Sequence, residues 1–436
     1  MRYFTEPEKR IPVKEEVDVL VIGGGPAGFS AAVSAARNGA RTLLVEQAGD
    51  VGGVATTGLM SHWTGNTQGG FYEEILERSK DCEENAAFDN HSSMRRTINP
   101  ERLKTVMLDM LQEAGVKLKL YTFACEAMME GSRIVGVITE SKSGREAITA
   151  GIVIDASGDG DIAAKAGVPY VKGRDGDGKM QPMTLMFKVA GVDTDRAVFP
   201  GGFEDSFELP KGDLQTLGRK ILPSPAGHVL LYRSTLPGVV TCNMTNCTDV
   251  DGTSADDLTE ASYRCRRQMD PIVGFLREYV PGFEKCYVIS SASSIGVRET
   301  RHFEGAYTLT EQDILAACVF DDWAVTKAHF NFDVHNMTGA GLDETGVQKK
   351  FAQPAGYTIP YKCFLPKSVD NLLLAGRDIS GTHLAHSNFR VMPICANMGQ
   401  AAGTAAALCI RRGITPRELQ AADLQEALRK QGVETT

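Results

Sequence analysis

The stretch that most constrains this chain is "VDVLVIGGGPAGFSAAVSAARNGARTLLVE", residues 17–46. Asp18 to Ile22 is a short apolar, β-branched run, as for a strand buried on both faces of a parallel sheet. Gly23, Gly25 and Gly28 follow it as G-x-G-x-x-G. The first permits a sharp turn. The second, without a Cβ, lets a pyrophosphate approach the backbone, and the third lets helix and strand pack closely. Ala27, Ala31, Ala32 and Ala35 extend that small face along a helix. The N-terminus of this helix offers unpaired N–H groups and a positive dipole end to phosphates. "RTLLVE" predicts a second strand ending at Glu46, where a carboxylate suits ribose hydroxyls and would repel a 2′-phosphate. A lone G-x-G-x-x-G is a weak signal. Strand, helix, second strand and acidic end in register predict a Rossmann-like dinucleotide site.

A chain of 436 residues is too long for one ordinary core, so two domains are expected. The net charge of −9 argues against nucleic acid or an anionic membrane as partner, since both call for a basic face. The N-terminal "MRYFTEPEKRIPVKEEVDVL" has no apolar core of a secretory signal. No apolar run approaches the ~20 residues of a membrane span. The expected location is cytoplasmic. The ten cysteines are scattered without any C-x-x-C, which supports neither a zinc site nor an iron–sulfur cluster. No metal site is expected, and most cysteines are read as buried reduced thiols.

The next element, "GDVGGVATTG", places Gly52 and Gly53 where the chain can lie against a cofactor, with Thr56 and Thr57 as small donors. Here the sequence resembles the FAD-dependent oxidoreductases of the two-dinucleotide-binding-domain flavoprotein superfamily. These are related to the succinate dehydrogenase and fumarate reductase flavoproteins and to the flavin subunit of heterodisulfide reductase. Three further stretches carry the resemblance: "GIVIDASGDGDIAAKAGVPY", "IGVRETRHFEGAYTLTEQDIL" and "VDNLLLAGRDISGTHLAHSNFRVMPICANMGQAAGTAAALC". It extends from about Val17 to about Arg411 and implies FAD as cofactor. It also implies that Ser157–Asp161 closes over the adenosine end. By the same likeness Asp378 bonds the ribityl chain, and Met398-Gly399-Gln400 begins a helix facing the flavin pyrimidine oxygen. The cofactor-binding candidates are then Gly23, Gly25, Pro26, Ala27 and Gly28 at the first turn, and Glu46 and Gln47 at the second strand end. Gly53, Val54, Ala55 and Thr56 belong to the Gly-Gly element, with Ala124, Ala156, Gly158 and Asp161 beyond it. Gly376, Asp378, Met398 and Gly399 complete the set. No second G-x-G-x-x-G follows a strand, and "TGAGLDETG" near Gly341 has the wrong spacing, so no dedicated nicotinamide domain is expected.

The fold class expected is α/β: a discontinuous Rossmann-like FAD domain, residues 1–175 and 350–436, with an inserted mixed-sheet α+β substrate domain, residues 176–349. "ACEAMMEGSRIVGVITESKSGREAITAGIVI" alternates like a small antiparallel insert. "MTLMFKVAGVD", "HVLLYRS" and "GVVTCNMT" read as strands of the inserted sheet, and residues 256–280 as a helix bent at Pro271.

Flavin chemistry needs a group that takes or gives a proton near neutral pH, a role for His, and cations that hold a polar substrate, a role for Arg. The resemblance puts the segment with His383, His386 and Arg390 beside the flavin, and His386 with Arg390 is the first choice. His383 stays open as catalytic or structural. Arg298 and Arg301 come next; an ion pair with Glu299 or Glu304 is the plain alternative. His302 ranks lower. His62 raises covalent flavin attachment against a role behind the site, and Cys395 has no partner cysteine for a redox pair. The expected reaction is hydride transfer between flavin N5 and a small organic substrate, for which two arginines fit an anion. The alternative is an electron-transfer flavoprotein that works with a redox partner protein.

Overall fold

A computed structural model describes residues 2–80, 95–200, 205–343 and 356–434. Cys82 and the expected domain boundary at 349/350 lie outside these residues. The glycine motif sits in a seven-stranded sheet. Strand Val13–Ile22 pairs in parallel with Thr42–Val45 on one side and with the long strand Gly144–Asp155 on the other. Thr42–Val45 pairs in parallel with Lys117–Lys119, and Leu372–Leu374 pairs in parallel with the end of Gly144–Asp155. The other part of Gly144–Asp155 pairs antiparallel with Arg133–Ser141, which pairs with Thr122–Glu130. That is the expected antiparallel insert, fused to the parallel sheet through one shared strand. Helix Pro100–Glu113 starts at Asn99, whose side chain accepts from the Glu101 N–H, and leads through Gly115 into Lys117–Lys119.

The glycine helix, Pro26–Arg37, packs against the late helix Met392–Arg412. The Ala/Gly run of the late helix exists for this crossing. A Cβ on Gly399 would stand 2.0 Å from the Ala27 carbonyl oxygen, and one on Gly403 would stand 2.1 Å from that of Ala31. The expectation that Met398-Gly399 begins a helix is corrected. The helix begins at Met392 with a Pro in its first turn, and Met398 and Gly399 lie in its second turn, buried. Gly399 serves helix packing.

The inserted region holds a second sheet, ordered Leu231–Arg233, Val240–Cys242, Phe187–Ala190, Tyr287–Ser291. The reading expects a mixed sheet here; all three pairings are antiparallel, and the mixed sheet is the seven-stranded one. Helix Ala255–Tyr279 covers it, started by Ser254 accepting from the Asp257 N–H and running on through Pro271. Ile272, Val273, Phe275 and Leu276 of this helix form an apolar cluster with Phe187, Val189, Leu231 and Val240. No helix among the described residues is long and apolar enough to cross a membrane.

Candidate active site

Both sheets open onto one cavity of about 590 Å³, a size in the range of ligand pockets. One part of its wall is the glycine turn: Gly23, Gly25, Pro26 and Ala27, with Glu46 and Gln47 at the neighbouring strand end. Gly53, Val54, Ala124, Ala156, Gly158, Asp161 and Gly376 line it too. Gly23 takes a left-handed φ of +90°, and a Cβ there would meet the Ala156 carbonyl at 2.5 Å. No atom lies within 4 Å of where a Cβ on Gly25 would stand, so this glycine looks onto open space. It caps a twelve-residue helix that has no side-chain cap, which leaves N–H groups for a ligand. Glu46 is buried and accepts from the N–H groups of Gly24 (2.6 Å) and Ala48 (2.7 Å). These bonds fix its carboxylate at the wall.

Arg377, between Gly376 and Asp378, also lines this part. Its Nη2 meets Asp159 at 3.2 Å, while its Nη1 is buried without a partner. A buried guanidinium nitrogen lacking an acceptor, a helix N-terminus and a glycine facing open space all suit an anionic dinucleotide such as FAD.

Several expected contacts stand off the wall. Gly28 closes the helix onto the turn, since a Cβ there would stand 1.8 Å from the Gly23 carbonyl. Ala55 and Thr56 are buried, and Thr56 Oγ1 donates to the Val51 carbonyl at 2.6 Å. Asp378, expected to bond the ribityl chain, is fully buried and is not among the residues that line the cavity; its neighbour Arg377 is. Both Asp378 oxygens lack a partner, and burial pushes this carboxyl well above its ordinary range. Met398 and Gly399 lie off the cavity for the packing reason given above.

The other part of the wall carries charge. Arg390, the last residue of a turn that ends helix His383–Phe389, donates through Nη2 to the Asp333 carboxylate and carbonyl, each at 2.9 Å. Arg298 donates to the Pro182 carbonyl (2.5 Å) and Thr184 Oγ1 (2.8 Å). His335 Nε2 lies 3.4 Å from Asp333. Tyr232 and Asn243 line the same part, with Asn243 Nδ2 3.4 Å from Tyr232 Oη. Burial, with Arg390 nearby, pushes Arg298 down to about 10. Burial and Arg298 push His335 down to about 4, so it is neutral at pH 7. Burial opposes the charge on Asp333, but His335, Arg390 and Arg298 outweigh it and hold Asp333 below its ordinary value. Arg390 is bonded to Asp333, while Arg298 is held by neutral oxygens and feels the same carboxylate only through space, so two guanidiniums face a single carboxylate here.

Of the catalytic candidates, Arg390 and Arg298 therefore face the cavity and the others do not. His386 is buried off the wall, edge-on to His302 with ring centroids 5.0 Å apart. His383 Nδ1 lies 2.5 Å from Glu299 Oε1, and His302 Nε2 lies 2.8 Å from the same oxygen. Arg301 turns away: its Nη1 donates to the Asp159 carbonyl (2.6 Å) and to Asp161 (2.9 Å), pinning the Ser157–Asp161 loop. Arg298 and Arg301 are three residues apart, and only the first is aimed inward. His62 stands behind the site, stacked on Tyr232 at 4.0 Å and 3.2 Å from Thr97 Oγ1 through Nε2. Cys395 is on the wall, but burial pushes its thiol up to about 12, which makes it a poor nucleophile.

Asp333, His335, Tyr232 and Asn243 were not among the expected residues. A signal for two of them was present in "HFNFDVHN", which alternates polar and apolar from His329. Phe332 and Val334 are buried in the interior, while Asn331, Asp333 and His335 line the cavity.

The model of a family described as "FAD dependent oxidoreductase" matches residues 18–428. Digeranylgeranylglycerophospholipid reductase 2 of Methanopyrus kandleri is 29% identical over 224 residues, 45% of this chain and 52% of the relative. Digeranylgeranylglycerophospholipid reductase 1 of Methanococcoides burtonii is 25% identical over 245 residues, 50% of this chain and 57% of the relative. The chain thus spans about half the length of these curated relatives. A solved geranylgeranyl bacteriochlorophyll reductase-like protein of Thermoplasma acidophilum superposes with a TM-score of 0.50 at 14% identity, over 96% of this chain and 84% of that one. That likeness concerns the fold.

Proposed function

Because this chain belongs to the FAD-dependent oxidoreductase family, we propose that it oxidises or reduces a small organic anion bound between Arg298 and Arg390. The observation that carries this reading is the uncompensated charge: two cavity-lining guanidiniums face the one carboxylate of Asp333. Buried charge calls for a counter-charge, and an anionic substrate supplies it. The residues that would hold FAD are the glycine turn, Glu46, the Gly53–Val54 element, Ala156–Asp161 and Gly376-Arg377. When bound there, FAD would supply the two-electron chemistry, with its N5 as the hydride partner of the substrate carbon. In the oxidising direction His335, neutral before substrate binds, takes the proton lost from the substrate. Asp333, at 3.4 Å, stabilises the imidazolium. An anion that offsets Arg298 and Arg390 also raises His335 toward a useful basicity, because those cations are among the groups that hold it low. In the reducing direction the same groups return the proton. The curated relatives are named as reductases of a phospholipid, which is likewise an anion. The division into a discontinuous FAD domain and an inserted substrate domain is part of this proposal, with the arginine-bearing wall between them.

The test is an anaerobic screen of the purified holoprotein against small carboxylates and phosphates, with bleaching of the flavin absorbance as readout. The reduced protein is screened in the same way for reoxidation. Bleaching or reoxidation by one anion, and by none of the neutral compounds, is expected. Reaction with neutral compounds alone would contradict the proposal.

A further inference from the structure

Beside the cavity, and unused by the proposed reaction, lies a cluster whose three donors come from two distant parts of the chain. Glu299 and His302 sit in the segment ahead of and within strand Arg301–Phe303, and His383 is the first residue of helix His383–Phe389. One ligand atom from each, Glu299 Oε1, His302 Nε2 and His383 Nδ1, lies within 4.8 Å of the other two. The side chains are 0%, 6% and 11% exposed. The second carboxylate oxygen, Oε2, is held by the Gln181 N–H at 2.9 Å, which aims Oε1 at the two imidazoles. A third imidazole, His386, stands edge-on to His302, is 1% exposed, and has an Nδ1 without a partner.

We propose that Glu299, His302 and His383 bind one divalent first-row transition-metal ion, of which zinc is the probe. Two imidazole nitrogens and one carboxylate oxygen are the donor set that borderline ions such as Zn²⁺ and Fe²⁺ prefer. The set is convergent, dry and held by backbone on the carboxylate side. A metal ion would bind both imidazoles and the carboxylate together. Metal–ligand distances near 2.0–2.1 Å need the imidazoles to move back from their present 2.5 and 2.8 Å hydrogen bonds to Oε1. The fourth position lies open to water or to His386. The expectation of no metal rested on cysteine spacing; these donors are His and Glu, 84 residues apart between Glu299 and His383. An ion here would tie the Glu299 segment to the helix that ends at Arg390, and so hold that arginine in place.

The FAD-loaded protein is stripped with a chelator, dialysed against micromolar Zn²⁺, passed through a desalting column and assayed for zinc by mass spectrometry. Parallel arms use Fe²⁺ under anaerobic conditions. The expected result is about one retained equivalent per chain of at least one of the two ions, with a concentration-dependent rise in melting temperature. Glu299→Gln and His302→Gln, each confirmed folded by retained flavin absorbance, should each lose that equivalent. Wild-type protein that retains neither ion overturns the proposal, and so does undiminished binding by both folded variants.

Discussion

Arg390 bonds twice to one residue, donating at 2.9 Å to the backbone carbonyl of Asp333 and at 2.9 Å to its carboxylate. The pairing joins the end of helix His383–Phe389 to the extended segment that carries His335, so the cation and the proposed proton carrier are placed by the same contact. Asp333→Ala should destabilise the fold by about 3–5 kcal/mol, the usual cost of leaving a buried ion partner alone. Asp333→Asn keeps the shape and removes the charge. It is expected to bind anionic substrate more tightly, yet to slow the reductive step by about 10²–10⁴, the span of a lost acid–base contribution. Denaturant titration and rapid-mixing kinetics read the two effects apart.

The glycines separate packing from cofactor contact. Gly25→Ala adds a methyl where no protein atom lies within 4 Å, whereas Gly28→Ala and Gly399→Ala drive a methyl to 1.8 and 2.0 Å from carbonyl oxygens. Gly25→Ala is expected to fold with unchanged melting temperature as apoprotein and to bind FAD weakly. The other two should lose about 1–3 kcal/mol of stability, the range for overpacked cores. Thermal melts of apoprotein, paired with FAD titration, check this.

Arg301 is expected to matter for the loop it pins and not for turnover. Arg301→Ala frees Asp159 and Asp161 and should weaken FAD binding by about tenfold, in line with one charge-assisted hydrogen bond. With FAD in excess, the rate of flavin reduction should stay within about twofold of wild type. Arg298→Gln should do the reverse.

Acid should destabilise the protein in two windows. Burial holds His335 down to about 4 and His386 well below its usual 6.5. The unfolded chain takes up these protons below about 6.5 and the folded one does not. The unfolded state therefore binds more protons there, and stability falls as pH drops from 6.5 towards 4. Asp333 and Glu299 have depressed folded values, so their contribution is present above the ordinary carboxylate range and is lost only as pH falls below it. Melting temperature against pH should slope downward from 6.5, and His335→Gln should flatten the upper window. A wild-type profile flat between pH 6.5 and 4.5 would contradict the neutral, buried histidines.

The glycine turn could be read ahead of the structure because its requirements are local: Gly23, Gly25 and Gly28 are set by a turn, a ligand and a helix contact within six residues. Glu46 belongs to the same unit, one helix and one short strand further on. The late helix starts six residues ahead of the expected Met398, because its Ala/Gly run answers to Ala27 and Ala31, 372 residues before Gly399 and Gly403, and nothing local shows where the helix starts. Arg298 and Arg301 could not be told apart by spacing; the direction of each is set by partners at Thr184 and Asp161. His383 and His386 lie in the right segment, but a seven-residue helix turns both off the cavity and leaves Arg390 facing it. Asp333 and His335 were legible only as an alternation without a strand partner, so the cavity they face follows from tertiary pairing such as that of Asn66 with His329.

In the proposed function, Arg298 and Arg390 read the charge of the substrate. The most direct measurement compares the rate constant for anaerobic flavin reaction with an active carboxylate and with its neutral amide, in wild type and in Arg390→Gln. Wild type should favour the carboxylate by about 10²-fold or more, the worth of a buried charge-assisted bond, and Arg390→Gln should lose most of that ratio while keeping its FAD. An equal preference in both proteins, or none in wild type, would contradict it.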